Sequence, residues 1–161
     1  MPEPEPLDIP RDILEQTYRQ AREVFPEECC GWLAGAPDGQ GVTIVRACEN
    51  VQSAGNHPIA AGRPAETAYV FKAEDLLELS RSLDTDTPAR IIYHSHPNGM
   101  AYFSEIDRSV ATSPWGGEPA HPVQQLVIGI DNTTVREAAL FAWSTEEGGF
   151  VQIARFDGAE V

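Results

Sequence analysis

The run A-R-I-I-Y-H-S-H over residues 89 to 96 limits the folds open to this chain more than any other segment. Its apolar half reads as a buried strand, and it runs straight into two histidines, His94 and His96, at the strand's C-terminal end. Successive side chains of a strand leave opposite faces, so His94 and His96 can converge on one ion while Tyr93 and Ser95 face away. Pro97-Asn98-Gly99 then turns the chain, and S-E-I-D brings Ser104 and Asp107 back at the start of a short helix over Ser104 to Ala111. Two imidazoles and a carboxylate are ligand types that zinc accepts, and three such ligands leave a fourth tetrahedral position for water.

Each part also has a structural alternative. Paired histidines at a strand end also serve as partners for backbone groups, and Ser104 three residues before Asp107 matches a helix N-cap followed by an acid in the first turn. A fourth element upstream bears on the choice. Glu28 lies in P-E-E-C-C-G-W-L-A-G, between an amphipathic helix and a strand, where a carboxylate can face a site across a sheet. A general base that is not itself a ligand is what a zinc-water nucleophile needs.

The combination resembles the JAMM (MPN-plus) zinc metalloproteases, whose pattern is a Glu, then H-x-H-P, then S-x-x-D. Glu28, followed by Cys29-Cys30-Gly31, looks like that family's catalytic glutamate; the C-G step favours it over Glu27. By the same resemblance His94, His96 and Asp107 correspond to the ligands of one Zn2+ ion with its bound water, and Ser104 to the residue that stabilises the oxyanion. Such proteins cleave peptide or isopeptide bonds after the C-terminal Gly-Gly of ubiquitin-like proteins, and small stand-alone bacterial members act on sulfur-carrier proteins of the same β-grasp fold, including release of a terminal cysteine. A-Y-F-S-E-I-D resembles the A-Y-P-S-x-x-D of the cysteine-releasing members, with Phe103 in place of the proline. Two other classes share parts of the pattern. A non-catalytic MPN-type scaffold lacks the ligands, and the complete set here speaks against it. A RadC-like protein, linked to DNA repair, shares the H-x-H-P and S-x-x-D steps; the Glu-x-Cys-Gly start and the chain's charge speak against that.

That charge is a formal −14, from 25 acids against 11 bases, which repels phosphate backbones and makes nucleic acid a poor partner. The acids are equally compatible with a salty environment. No apolar run approaches the ~20 residues of a membrane span, and M-P-E-P-E-P lacks the features of a signal peptide. The expectation is a cytoplasmic protein without membrane association. Cys29, Cys30 and Cys48 sit in or beside strand-like segments, where packing is the default role and no disulfide framework arises.

Residues 1–8 read as a solvated, disordered tail, and 9–161 as one domain. Pro10 opens a helix that ends near Pro26. C-G-W-L-A-G-A and V-T-I-V-R-A-C form a hairpin around P-D-G-Q-G, and Lys72 to Asp84 form an amphipathic helix. Tyr69 to Phe71 reads as a short strand, and Val123 to Ile130, Val135 to Trp143 and Phe150 to Phe156 as three longer ones. Loops 52–68 and 112–122 would form the walls of a groove narrow enough for a Gly-Gly tail, which alone lets backbone approach a metal closely. His57 and His121, in these loops, read as loop residues, and Trp115 as a loop anchor or a substrate contact. The element order predicts an α/β fold, a sandwich around a single mixed sheet flanked by helices. The resemblance implies the same, with a likeness to the cytidine deaminases.

Overall fold

The computed structural model describes residues 4–52 and 68–161. In chain order these form α1 (Arg11–Val24), β1 (Cys30–Ala34), β2 (Ile44–Cys48), α2 (Ala73–Ser82), β3 (Ala89–His96), α3 (Glu105–Ala111), β4 (Gln124–Ile130), β5 (Val135–Ser144) and β6 (Gly149–Ala159). Six strands make one sheet in the order β2-β1-β3-β4-β5-β6. Neighbours are antiparallel except β3 and β4, which run parallel because α3 carries the chain back between them. The expected single mixed sheet with flanking helices is therefore the observed fold.

Period-two alternation divides the interior between the two faces. Leu33, Ile91, Tyr93, Leu126, Ile128 and Leu140 meet Ile13, Tyr18 and Ala21 of α1. With Thr17 these buried helix residues recur three and four apart, which places them on one stripe. On the opposite face, Trp32 and Ile92 pack with Leu79 of α2, while Val127, Ala139 and Phe141 pack with Phe103 and Ala111 around α3.

Three local expectations change. The end of the 1–8 tail is held against the body: Leu7 N–H donates to Gln124 Oε1 at 3.1 Å, and Asp8 forms a parallel bridge with Gly41. That bridge also alters the hairpin. Asp8 exchanges hydrogen bonds with Gln40 and Val42, so the strands stop at Ala34 and begin again at Ile44 instead of closing on P-D-G-Q-G. Among the described residues, Tyr69 to Phe71 contributes only an isolated bridge, Asn50 to Phe71. His57 and most of the 52–68 loop lie outside the described residues.

No helix among the described residues is long and apolar enough to cross a membrane. All three cysteines are free and buried. Burial pushes the Cys29 and Cys48 thiols up to about 12, which leaves them as protonated packing groups.

Candidate metal centre

β3 ends beside the parallel strand β4, with His94 opposite Val127 and His96 opposite Gly129. Both rings leave the face shared with α2 and α3. Tyr93 and Ser95 leave the other, where the Tyr93 hydroxyl donates to Gln20 Oε1 and Ser95 Oγ accepts from Cys29 N–H at 2.8 Å. Alternation along the strand thus separates groups able to bind an ion from groups that hold the frame.

α3 brings the carboxylate. Ser104 is its N-cap: Ser104 Oγ accepts from Asp107 N–H at 3.0 Å, and Asp107 Oδ2 accepts from Ser104 N–H at 2.9 Å. This capping box satisfies two backbone donors and locks the Asp107 rotamer with Oδ2 turned toward the histidines. The cap reading of S-E-I-D is met, and the same geometry leaves the Asp107 carboxylate beside the two imidazoles. Capping uses a lone pair of Ser104 Oγ, and the hydroxyl keeps its own proton to donate.

Three atoms converge. His94 Nε2 and His96 Nε2 lie 3.1 Å apart, and Asp107 Oδ2 lies 3.2 Å from the first and 3.1 Å from the second. Ligands at about 2.0–2.1 Å from a tetrahedral zinc stand roughly 3.3 Å from one another, so the triangle has the edge length that ion requires. The donor set, two imidazoles and a carboxylate, also fits. His96 Nδ1 lies 3.2 Å from the Met100 carbonyl; donation to that oxygen leaves the Nε2 lone pair facing the triangle. His94 Nδ1 is buried and has no hydrogen-bond partner among the described residues.

Burial alone would raise the Asp107 pKa, but His94 and then His96 beside it hold the carboxyl well below the usual carboxylate range. Burial also disfavours charge on both rings. For His94 the contact with Asp107 outweighs it and the pKa rises; for His96 burial prevails and the pKa falls. An ionised Asp107 and a neutral His96 are the forms that bind a cation.

Glu28 precedes β1 and is 4 % exposed. Its carboxylate and the two imidazoles each offer an atom within 4.8 Å of the others, a looser grouping than the triangle through Asp107. All five residues singled out in the sequence thus belong to one neighbourhood. Aromatic rings flank it, Tyr69 stacked on His94 at 4.7 Å between centroids and Tyr102 tilted against His96 at 4.8 Å. Beside Tyr69 opens a cleft of about 210 Å³ lined by Phe71, Leu76, Val110 and His121 among others. His121 is therefore part of a recess and not merely a loop residue. Trp115 is 92 % exposed, so its ring is not a loop anchor among the described residues.

The family of prokaryotic homologs of the JAB domain matches residues 10–144. This chain belongs to that family. The resemblance carried by Glu28, H-S-H-P and S-E-I-D is borne out at that level. Among relatives of this JAB domain, the CysO-cysteine peptidases of Mycobacterium tuberculosis and Mycobacterium bovis are 30 % identical over 109 residues, 67 % of each chain. A solution structure from Salinibacter ruber aligns with a TM-score of 0.59 at 22 % identity, covering 91 % of this chain and 88 % of that one. Another from Desulfitobacterium hafniense aligns at 0.56 and 20 %, covering 89 % and 87 %. At those identities the two structures speak for the fold alone.

Alternation places Ser95 on the far face, as observed, but gives it no role; the contacts of Asn50, of the Tyr69 ring and of the Met100 carbonyl with the site carry no signal in the sequence.

Proposed function

We propose that this chain is a zinc-dependent hydrolase that cleaves the peptide or isopeptide bond after the C-terminal Gly-Gly of a ubiquitin-like or sulfur-carrier β-grasp protein, with release of a terminal cysteine as one such reaction. The observation that carries the reading is the triangle of His94, His96 and Asp107 with the Glu28 carboxylate beside it. His94, His96 and Asp107 would hold the metal. Zinc bound there supplies a Lewis acid for the scissile carbonyl and lowers the pKa of water from 15.7 to roughly 7. Glu28, set back from the triangle, acts as general base toward the attacking water and then returns the proton to the departing amine. Ser104 donates a hydrogen bond from its hydroxyl to the oxygen on which charge develops.

The name of the mycobacterial relatives supports a sulfur-carrier substrate ending in cysteine. Phe103, which stands where the cysteine-releasing pattern has proline, is buried against Phe141 and Phe150, so the departure is a packing change behind the site. The cleft along Tyr69 and His121 is a recess in which residues flanking the Gly-Gly step can lie. The test is incubation of the zinc-loaded protein with β-grasp carriers extended by Cys, by a short peptide, or through a Lys isopeptide, with products identified by mass. Release of intact carrier ending in Gly-Gly is expected. Absence of cleavage for all three, under conditions where zinc is bound, removes the proposal.

A further inference from the structure

The Glu28 carbonyl and the Cys29 N–H are the two ends of one peptide unit, and a side chain grips each end. Asn50 Nδ2 donates to Glu28 O at 3.0 Å, and Ser95 Oγ accepts from Cys29 N–H at 2.8 Å. A peptide unit is planar, so bonds to both ends fix its orientation and anchor the Glu28 Cα from which the side chain leaves. From these contacts we propose that Asn50 and Ser95 form a clamp that aims the Glu28 carboxylate at the metal centre, making both of them positioning residues. The inference rests on the role given to Glu28 above.

The clamp ties Glu28 to the same strand that carries the histidines. Ser95 lies between His94 and His96 on β3, and its own N–H donates back to the Cys29 carbonyl at 3.2 Å. A shift of β3 therefore moves the imidazoles and the glutamate together. Asn50 reaches a second part of the site with the same amide. Its Nδ2 also donates to Ala68 O at 3.0 Å, and its Oδ1 accepts from Val70 N–H at 3.1 Å and Gln52 N–H at 2.9 Å. The bonds to residues 68 and 70 straddle Tyr69, whose ring covers His94. One asparagine thus sets both the glutamate and the ring over the first histidine. A purely loop-organising asparagine would have no reason to bond Glu28, which lies 22 residues away in the chain.

The test uses the zinc-loaded full chain and a β-grasp carrier ending in Gly-Gly-Cys. Asn50→Asp keeps the acceptor for Gln52 and Val70 but sets an oxygen against the Glu28 carbonyl; Ser95→Ala removes the acceptor for Cys29; Ser95→Thr retains it. The first two should lower kcat about 10- to 100-fold, since a misplaced catalytic group has costs of that order. KM should stay within about twofold, as for a group felt only in the transition state, and zinc content should be unchanged. Ser95→Thr should restore kcat. A rise in KM alone, or an unchanged kcat, overturns the clamp. Hydrogen exchange gives a readout independent of turnover: Ser95→Ala should accelerate exchange of the Cys29 amide about tenfold while amides within β1 keep their rates. If the native chain cleaves no carrier, the proposed function falls, and Cys29 exchange still decides the clamp: unchanged exchange overturns it, and selective acceleration upholds it.

Discussion

On the α1 side of the sheet, Ile91 and Tyr93 of β3 enter a cluster built with Leu33, Ile128 and Leu140. On the other side, one residue along the same strand, His94 and His96 meet Asp107. The two faces are comparably dry, with Tyr93, Leu140 and His94 all fully buried. They differ in how burial is compensated. The α1 face has dispersion and removal of apolar area from water. The site face holds polar groups that would each be costly alone, and tolerates them because they face one another and the capping box. A dry polar cluster also strengthens every charge interaction within it, which suits chemistry in which charge develops on an oxygen. Stability and the proposed activity thus fall to alternate residues of shared strands.

Substitutions on the two faces should therefore fail in different assays. Glu28→Gln is expected to lower turnover about 10²- to 10⁴-fold, the usual share of a general base, with zinc content and melting temperature nearly unchanged; near-normal cleavage of a Gly-Gly-Cys carrier would break the assignment. Leu140→Ala on the α1 face should cost about 2–5 kcal/mol of stability. Urea unfolding measures it, and kcat per folded molecule should be preserved. Ser104→Ala should cross the division, because this residue caps α3 and carries the proposed oxyanion role. A loss of about 2.7–4 kcal/mol in transition-state stabilisation, together with about 0.5–2 kcal/mol of stability from the missing cap, would register in both assays. A stability loss alone would reduce Ser104 to its capping role.

Gly129 sharpens the contrast at a smaller scale. A Cβ there would meet the Gly99 carbonyl oxygen at 2.6 Å, so Gly129→Ala must displace the turn that presents the Met100 carbonyl to His96. About 1–3 kcal/mol of strain is expected, with metal affinity weakened roughly 10- to 100-fold through the lost orientation of His96; competition with a chelator measures the second. Trp115→Ala should change stability by less than about 0.5 kcal/mol, as for a surface residue without partners. A rise in KM for the carrier would make Trp115 a substrate contact.

The H-x-H step and the S-x-x-D step were legible because each depends on short-range periodicity: two residues per strand repeat, and the reach from an N-cap to the first helical turn. Glu28 was legible from its place between a helix and a strand, and its role only through resemblance, since nothing local aims a carboxylate across a sheet. The hairpin was misjudged at its tip because Asp8, distant in sequence, takes the backbone groups of Gln40 and Val42. Asn50 was invisible for a related reason. Its partners among the described residues are backbone atoms of Glu28, Gln52, Ala68 and Val70, and backbone atoms leave no mark in the pattern of side chains.

The sequence by itself determined the strand that delivers the histidines, the cap that returns Asp107, the mixed α/β class and the family, because these follow from local patterning and a specific motif. Tertiary structure alone decided the 3.1–3.2 Å convergence of His94, His96 and Asp107, the support of His96 by Met100, and the grip of Asn50 and Ser95 on the Glu28–Cys29 peptide. Such contacts depend on the relative placement of segments far apart in the chain, which only a packed sheet fixes.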